Sequence, residues 1–405
     1  MKIFTTILRT LTLASAFFCF TSVVSAKDYT TTLADNVTVT YAVNTTDLIA
    51  RVKRVHVFTG TPPKRIEVPK TIKYKSGSNT YNLTVTKIGD GAFDQVEIKT
   101  IVLPNTITYI GNDAFNFSYA ENINIPNKVE SIGDRAFYCC SIKSAVIPGT
   151  CKSIGADAFR NSEIESITFN ESTTPLSIGN NAFKATKLHS VTLPFRLSSL
   201  GECSFAENLW LQTAKIMSSK ITMIPNKCFY YCKILQSIEL PSSITSIGDM
   251  AFQDCWQLNS FSSLLPNLKT IGNFAFENNT NLKTITFPST LQKIGDNCFA
   301  ECYAIKSVVC DAVTPPTAGV NCFSADCSKI PAYVPEKSVP AYEHAYCWSE
   351  FDYSHYHNTG IESVVITPQN VSWFDIQGHS LDATPSVPGI YIRVANGKST
   401  KVTIK

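Results

Sequence analysis

Several signatures of chemistry are missing from this sequence. Its glycines come singly, so there is no Gly-rich phosphate loop, and neither a nucleophile elbow nor an HExxH pair is present. Histidine is scarce. The six are His56, His189, His344, His355, His357 and His379, and only His355 and His357 are close enough to share a strand face and hold a metal. That pair reads better as part of a Tyr/His surface loop. No catalytic, cofactor-binding or metal-binding set follows, and the expectation is a protein that is not an enzyme and uses no cofactor. An excess of one charge is also lacking. Lys and Arg total 35 against 32 Asp and Glu; without Lys2 and Arg9 of the leader described below, 33 stand against 32, a net of +1. A nucleic-acid binder needs a basic excess. Beyond residue 26 no run reaches the roughly 18–20 apolar residues that span a bilayer. Nor is the chain poor in apolar residues: at 44%, with 24 Phe and 16 Tyr, it has too much core-forming material for disorder.

What is present begins with an export signal. Lys2 and Arg9 precede a mostly apolar stretch from Leu11 to Phe20, and Val24-Ser25-Ala26 offers a small-x-small cleavage site. Residues 1–26 are therefore expected to be a signal peptide and the mature protein exported, extracellular or on the outer cell surface. Cys19 lacks the Leu and small residues of a lipoprotein signal before it, which argues against a lipid anchor. The remaining thirteen cysteines are an odd number and fall mostly in fixed columns of a repeat. Small apolar filler is the first reading of them. Disulfides, or a clip at Cys228/Cys232 or Cys298/Cys302, stay open.

The repeat organises the chain. An Ile-Gly-x-x-small-Phe unit recurs with its Phe at 93, 115, 137, 159, 183, 205, 229, 252, 276, 299 and 323, spaced 22 to 24 apart. Gly fills its column except at Pro225, and the residue before Phe is always Ala, Ser or Cys. An L-x-x-I-x-L element follows each Phe, as in Leu188…Val191…Leu193, and usually ends in Pro. Its period-2 step marks a short strand with one buried face, and Pro ends it by removing a donor. So short a strand cannot bury its stripe alone, and stacking coil on coil supplies the partner. Length alone suggests two or three ordinary domains; the repeat predicts a solenoid instead. It is mainly β with short helical or irregular turns, a leucine-rich repeat array of about eleven coils flanked by small β caps. At about 4.8 Å between strands it would be on the order of 50 Å long. Two departures predict a local bend or bulge: the coil carrying Trp210, Lys215 and Met217 before Pro225, and the shifted strand at 260–266.

These residues resemble the BspA-like leucine-rich repeats of bacterial surface proteins over about Leu83 to Phe323. The segment Ile330 to Phe351 resembles the Tyr-Val-Pro closing unit of such arrays. Residues 361–405 are similar to C-terminal β modules of Bacteroidetes exported proteins: Trp373 to His379, then Pro388-Gly389-Ile390-Tyr391-Ile392. That likeness implies a type IX sorting tail; His379 stands where the pattern has Arg, and a plain β cap is the alternative. The division expected is 1–26 signal peptide, 27–82 N-terminal β cap, 83–329 solenoid, 330–360 C-terminal array cap and 361–405 small β module.

Two surfaces are candidates for a ligand. The outward face of the strands is rich in hydroxyls, including Ser166, Thr168, Ser190, Thr192, Ser237, Glu239, Thr284 and Thr286, and suits an extended macromolecule. Ser and Thr also tolerate strand geometry for its own sake. The second is an aromatic set, Tyr138, Tyr230, Tyr231, Trp256 and Tyr303 with Trp210 nearby, residue types that anchor interfaces and stack on sugars. The resemblance implies an adhesin-like binding protein recognising host glycoproteins, extracellular matrix or other bacterial surfaces. Its partners would be an extracellular protein, glycoprotein or polysaccharide, with no nucleic acid. The alternatives are a glycan-capturing accessory protein for nutrient uptake and an architectural surface-layer component.

Overall fold

In a computed structural model of the protein, residues 26–34, 36–57, 61–259, 265–323, 326–357, 371–375, 380–381, 389–395 and 398–404 are described. Residues 1–25 of the expected leader, residues 260–264 of the expected shifted strand and Gln377 to His379 lie outside them. The chain forms two compact units, Met1–Tyr353 and Ser354–Lys405.

The larger unit is the expected solenoid, and its axis is the phenylalanine column. Eleven rings from Phe93 to Phe323 stack in ten steps of 4.8–5.7 Å, with interplanar angles of 4–15°. The rings from Phe93 to Phe299 are wholly buried. Stacked aromatic pairs at such distances contribute beyond simple burial. Each Phe N–H also donates to the carbonyl of the small residue before the next Phe, at 2.6–2.9 Å from Phe93→Ala114 to Phe299→Cys322. The small residue is thus required twice: it leaves room for the ring and lets the backbones approach.

Among the described residues the coils carry two sets of short strands, and both build parallel ladders. One holds the Ile column: Tyr109–Ile110, Ser131–Ile132, Ser153–Ile154, Leu176–Ile178 and Leu197–Leu200 pair in sequence. A second run joins Met223–Ile224, Ser246–Ile247, Thr270–Ile271, Lys293–Ile294 and Thr317–Ala318. The two runs are not joined, and Pro225 lies at the break. In nine coils the Gly N–H donates at 2.7–2.9 Å to the strand carbonyl of the preceding coil, as in Gly155→Ile132 and Gly248→Ile224. Proline has no N–H to give, so that rung is missing where the two runs part. The Gly column is also a matter of space: a Cβ on Gly155 would lie 2.5 Å from Asp134 N and 2.6 Å from Gly133 C.

The L-x-x-I-x-L strands form the other ladder in four short sheets: 65–67/100–102/122–123, 144–147/166–169, 190–193/213–216/237–239, and 284–287/307–310/332–333. Their alternation is that of half-buried strands, as in Ser190–Leu193, where Val191 and Leu193 point inward and Ser190 and Thr192 outward.

At the N-terminal end the antiparallel strands Lys27–Ala34, Val37–Asn44 and Ile49–Val57 lead into Asn79–Ile88, which pairs with the array strand Tyr109–Ile110. The strand Asn79–Ile88 crosses residue 82, so these N-terminal strands and the array share one sheet. At the other end Trp348 lies edge-on to Phe287, Phe323 and Tyr342, covering the last ring of the column. The helical turns are Glu336–Ser338, Val339–Glu343, Trp348–Glu350 and Ser354–His357, all after the array. His355 and His357 lie on the last of these rather than on a strand, which removes the shared strand face considered for a metal. The smaller unit has an antiparallel sheet of Val371–Phe374, Ser380–Leu381, Gly389–Ala395 and Lys398–Ile404.

Candidate ligand-binding surfaces

The hydroxyl ribbon is exposed as the period-2 pattern predicts. Ser166, Thr168, Ser190, Thr192, Ser237, Glu239 and Thr284 are exposed and Thr286 half-buried. Register aligns Ser190, Thr213 and Ser237 across three coils, and beside them Thr192, Lys215 and Glu239. Lys215 and Glu239 form an ion pair at 2.6 Å. Ser166 pairs with Ser144, and Thr284 with Ser307. The ribbon is therefore real but interrupted, since its strands fall in separate sheets.

The aromatic residues divide. Tyr230, Tyr231 and Trp256 come together: the tyrosine rings lie 5.8 Å apart and Tyr231 meets Trp256 edge-on at 6.4 Å. Lys233 Nζ sits over both Tyr231 and Trp256, 4.4 and 4.3 Å from their centroids, a cation held by two ring faces. A cleft of about 280 Å³ beside them is lined by Ala185, Glu207, Leu209, Tyr230 and Tyr231. Burial, with Asp254 and Glu207 nearby, pushes the Tyr230 hydroxyl above its ordinary range, and burial raises the neighbouring Glu277 carboxyl. Tyr138 stands apart, flanked by Arg135 and Arg160 and edge-on to Phe117. Trp210 tilts against His189 at 6.5 Å, and Tyr303 is 75% exposed.

A larger groove lies elsewhere, on the ladder that precedes the glycines. Tyr109, Ser131, Ser153, Ser177, Ser199 and Met223 line a cleft of about 600 Å³. Ser131 and Ser153 share a hydrogen bond of 2.8 Å. Asn112, Asp134 and Asn180 in its lining belong to an Asp/Asn column that the sequence reading missed. The side-chain oxygens of Asp90, Asn112, Asp134, Asn180, Asn226, Asp249, Asn273 and Asp296 each accept from a backbone N–H of the next coil, at 2.7–3.0 Å. The signal was available, because these residues directly follow the Ile-Gly or Ile-Pro pair.

Beyond packing, the cysteines have a second role. Three positions after Phe, Cys232, Cys255 and Cys302 donate to the carbonyl of the previous coil's Phe at 3.0–3.2 Å. Asn208 and Asn279 reach the equivalent carbonyls from the same column. Cys and Asn therefore alternate because both supply a small donor. Among the described residues no group of three His, Cys, Asp or Glu is placed to hold a metal, and no described helix is long and apolar enough to cross a membrane.

Six copies of the BspA type leucine-rich repeat region match this sequence over 86–212, 154–264, 208–331 and 262–372. No catalytic family is indicated. Curated proteins offer no significant match. Among solved structures, the pneumococcal vaccine antigen PcpA is 19% identical, with 81% of this chain and 97% of that one covered at a TM-score of 0.47. A leucine-rich cell surface protein of Faecalibacterium prausnitzii is 19% identical, with 71% and 95% covered at 0.36. A leucine-rich repeat protein of Bacteroides ovatus is 23% identical, with 67% and 92% covered at 0.29. Since the matched segments span most of the sequence, carry its Ile, Gly and Phe columns and coincide with the solenoid, the chain belongs to the BspA type leucine-rich repeat family.

Proposed function

We propose that this is a non-enzymatic binding protein, exported and displayed at the outer cell surface or secreted, whose solenoid grips an extended extracellular partner. The observation that carries the reading is the pair of polar ladders, interrupted but in register within each run, that set hydroxyls side by side from coil to coil. Repetition in register favours a partner that is itself long, because many weak contacts add up along it. The resemblance to bacterial surface proteins and the leader-like residues 1–26 support display outside the cell; in this reading residues 361–405 serve as a sorting module. Host glycoproteins, matrix proteins and other bacterial surfaces are the partners in this reading.

A glycan-capturing role is the second reading, favoured by the ring faces of Tyr230, Tyr231 and Trp256 beside the Leu209 cleft. Lys233 already covers two of those rings, so a sugar stacking there has to displace it or use the open ring faces. A panel of immobilised matrix glycoproteins and a glycan array, probed with the full chain, separates the readings. Protein binding that survives Trp256→Ala supports the first. Sugar binding lost in that variant moves the assignment to the second, and failure to bind in both assays leaves an architectural role.

A further inference from the structure

The structure sorts the cysteines by their surroundings. Cys140, Cys228, Cys255, Cys298 and Cys302 are walled into the array, and burial holds their thiols well up, those of Cys140, Cys228 and Cys302 at about 12. Such thiols stay protonated and inert. One pair is built differently. Cys322 directly precedes Phe323 in the last coil and is fully buried, whereas Cys347 directly precedes Trp348 in the C-terminal segment and keeps 8% of its surface exposed. The segment docks through rings: Trp348 lies 5.8 Å and Phe351 4.9 Å from Phe323, both edge-on. This docking brings the two sulfurs into side-chain hydrogen-bond contact without a covalent link. Cys347 also holds a left-handed backbone, φ 69, a conformation that L residues avoid unless their surroundings impose it.

We propose that Cys322 and Cys347 are a disulfide-forming pair that fastens the C-terminal segment onto the last coil, with Cys347 reacting first. The hydrogen bond from Cys322 pulls the Cys347 thiol below its ordinary range against the opposing effect of burial, while burial pushes Cys322 up. The more exposed and more acidic sulfur is thus the attacking one. Its thiolate attacks a small-molecule disulfide such as oxidised glutathione, forming a mixed disulfide and releasing one glutathione thiolate. Cys322 then loses its proton and attacks the Cys347 sulfur, releasing the second. Two protein thiols become one disulfide, and the oxidant takes up both electrons. The bond closes the chain from 322 to 347 and locks the cover over the final Phe ring, whatever the ladders bind.

The test uses the full chain treated with oxidised glutathione, alkylated and digested without reduction. One major cross-linked peptide should join Cys322 to Cys347, and the oxidised protein should melt a few degrees above the reduced one. Cys322→Ser and Cys347→Ser should lose both the cross-link and the shift, whereas Cys327→Ser and Cys255→Ser should keep them. Limiting iodoacetamide on the unmutated chain gives a readout independent of variant folding: Cys347 should be labelled ahead of Cys322 and Cys327. A major cross-link elsewhere, glutathione left on Cys347 of the folded protein, or earlier labelling of Cys322 overturns the proposal.

Discussion

A single atom decides whether adjacent coils can close. At Gly155 the missing Cβ leaves space for the Gly133–Asp134 backbone, and neither neighbour can move without opening the ladder. Gly155→Ala should therefore destabilise the protein by about 1–3 kcal/mol or more, the range of overpacked cores, read as a lower midpoint in chemical denaturation. The donor column makes a complementary prediction. Cys232→Ser keeps a group able to reach Phe205 O, whereas Cys232→Ala removes one of its two side-chain donors and leaves only the Asn208 amide. Alanine should cost more, by on the order of 1 kcal/mol, in the same unfolding measurement. That distinction was not legible in advance. The periodic Ile, Gly and Phe stood out because only those residue types satisfy their places, but Cys in an apolar column looks like filler until the carbonyl beside it is seen. The Asp/Asn column was masked in another way. Ala156, Glu202 and Val320 interrupt it, and Asp or Asn after Gly reads as an ordinary turn.

At the scale of the element, turns and strands impose different demands. Each turn from Phe93 to Phe299 holds two left-handed residues around its Phe, among them Arg135, Cys139, Met250 and Phe274, at φ 50–56. Nothing in those residue types announces the conformation, which ordinarily calls for Gly or Asn, so the turns were left undefined while the strands were readable from their alternation. Where sequence and conformation conflict, relief is available: Phe274→Asn should stabilise the fold by a few tenths to ~1 kcal/mol, since Asn tolerates this region better, as a raised melting temperature would register. Neighbouring coils are also tied by charge. Lys187 lies 2.5 Å from Glu163 and Lys143 3.2 Å from it, linking three coils. The hydrogen bond from Lys187, assisted by Lys143, holds the Glu163 carboxyl below its ordinary range. A lowered folded value means the link stabilises above the unfolded pKa, about 4.3 for Glu, and fades as pH falls through the folded one. Lys187→Ala should thus cost under ~1 kcal/mol at neutral pH, as befits a solvated pair, and the difference from the unmutated protein should vanish in acid.

For the larger unit as a whole, the phenylalanine column does what a globular core does elsewhere, but in one dimension. Within the column each ring stacks only on the rings of the adjacent coils, so stability passes from coil to coil. The same arrangement carries both polar ladders along the stack, which is why binding is the function it supports best. The grouping of Tyr230, Tyr231 and Trp256 depends on how coils superpose, information that one sequence contains only through the register of its repeats. Hydrogen–deuterium exchange on the Phe159→Ala variant tests the column most directly. The amides of Phe137, Phe159 and Phe183 all donate to the following coil, and removing one ring should lower protection in the coils on both sides, with a loss of about 3–5 kcal/mol in stability. Exchange that changes only within residues 153–169, with its neighbours protected as before, would contradict a continuous stack.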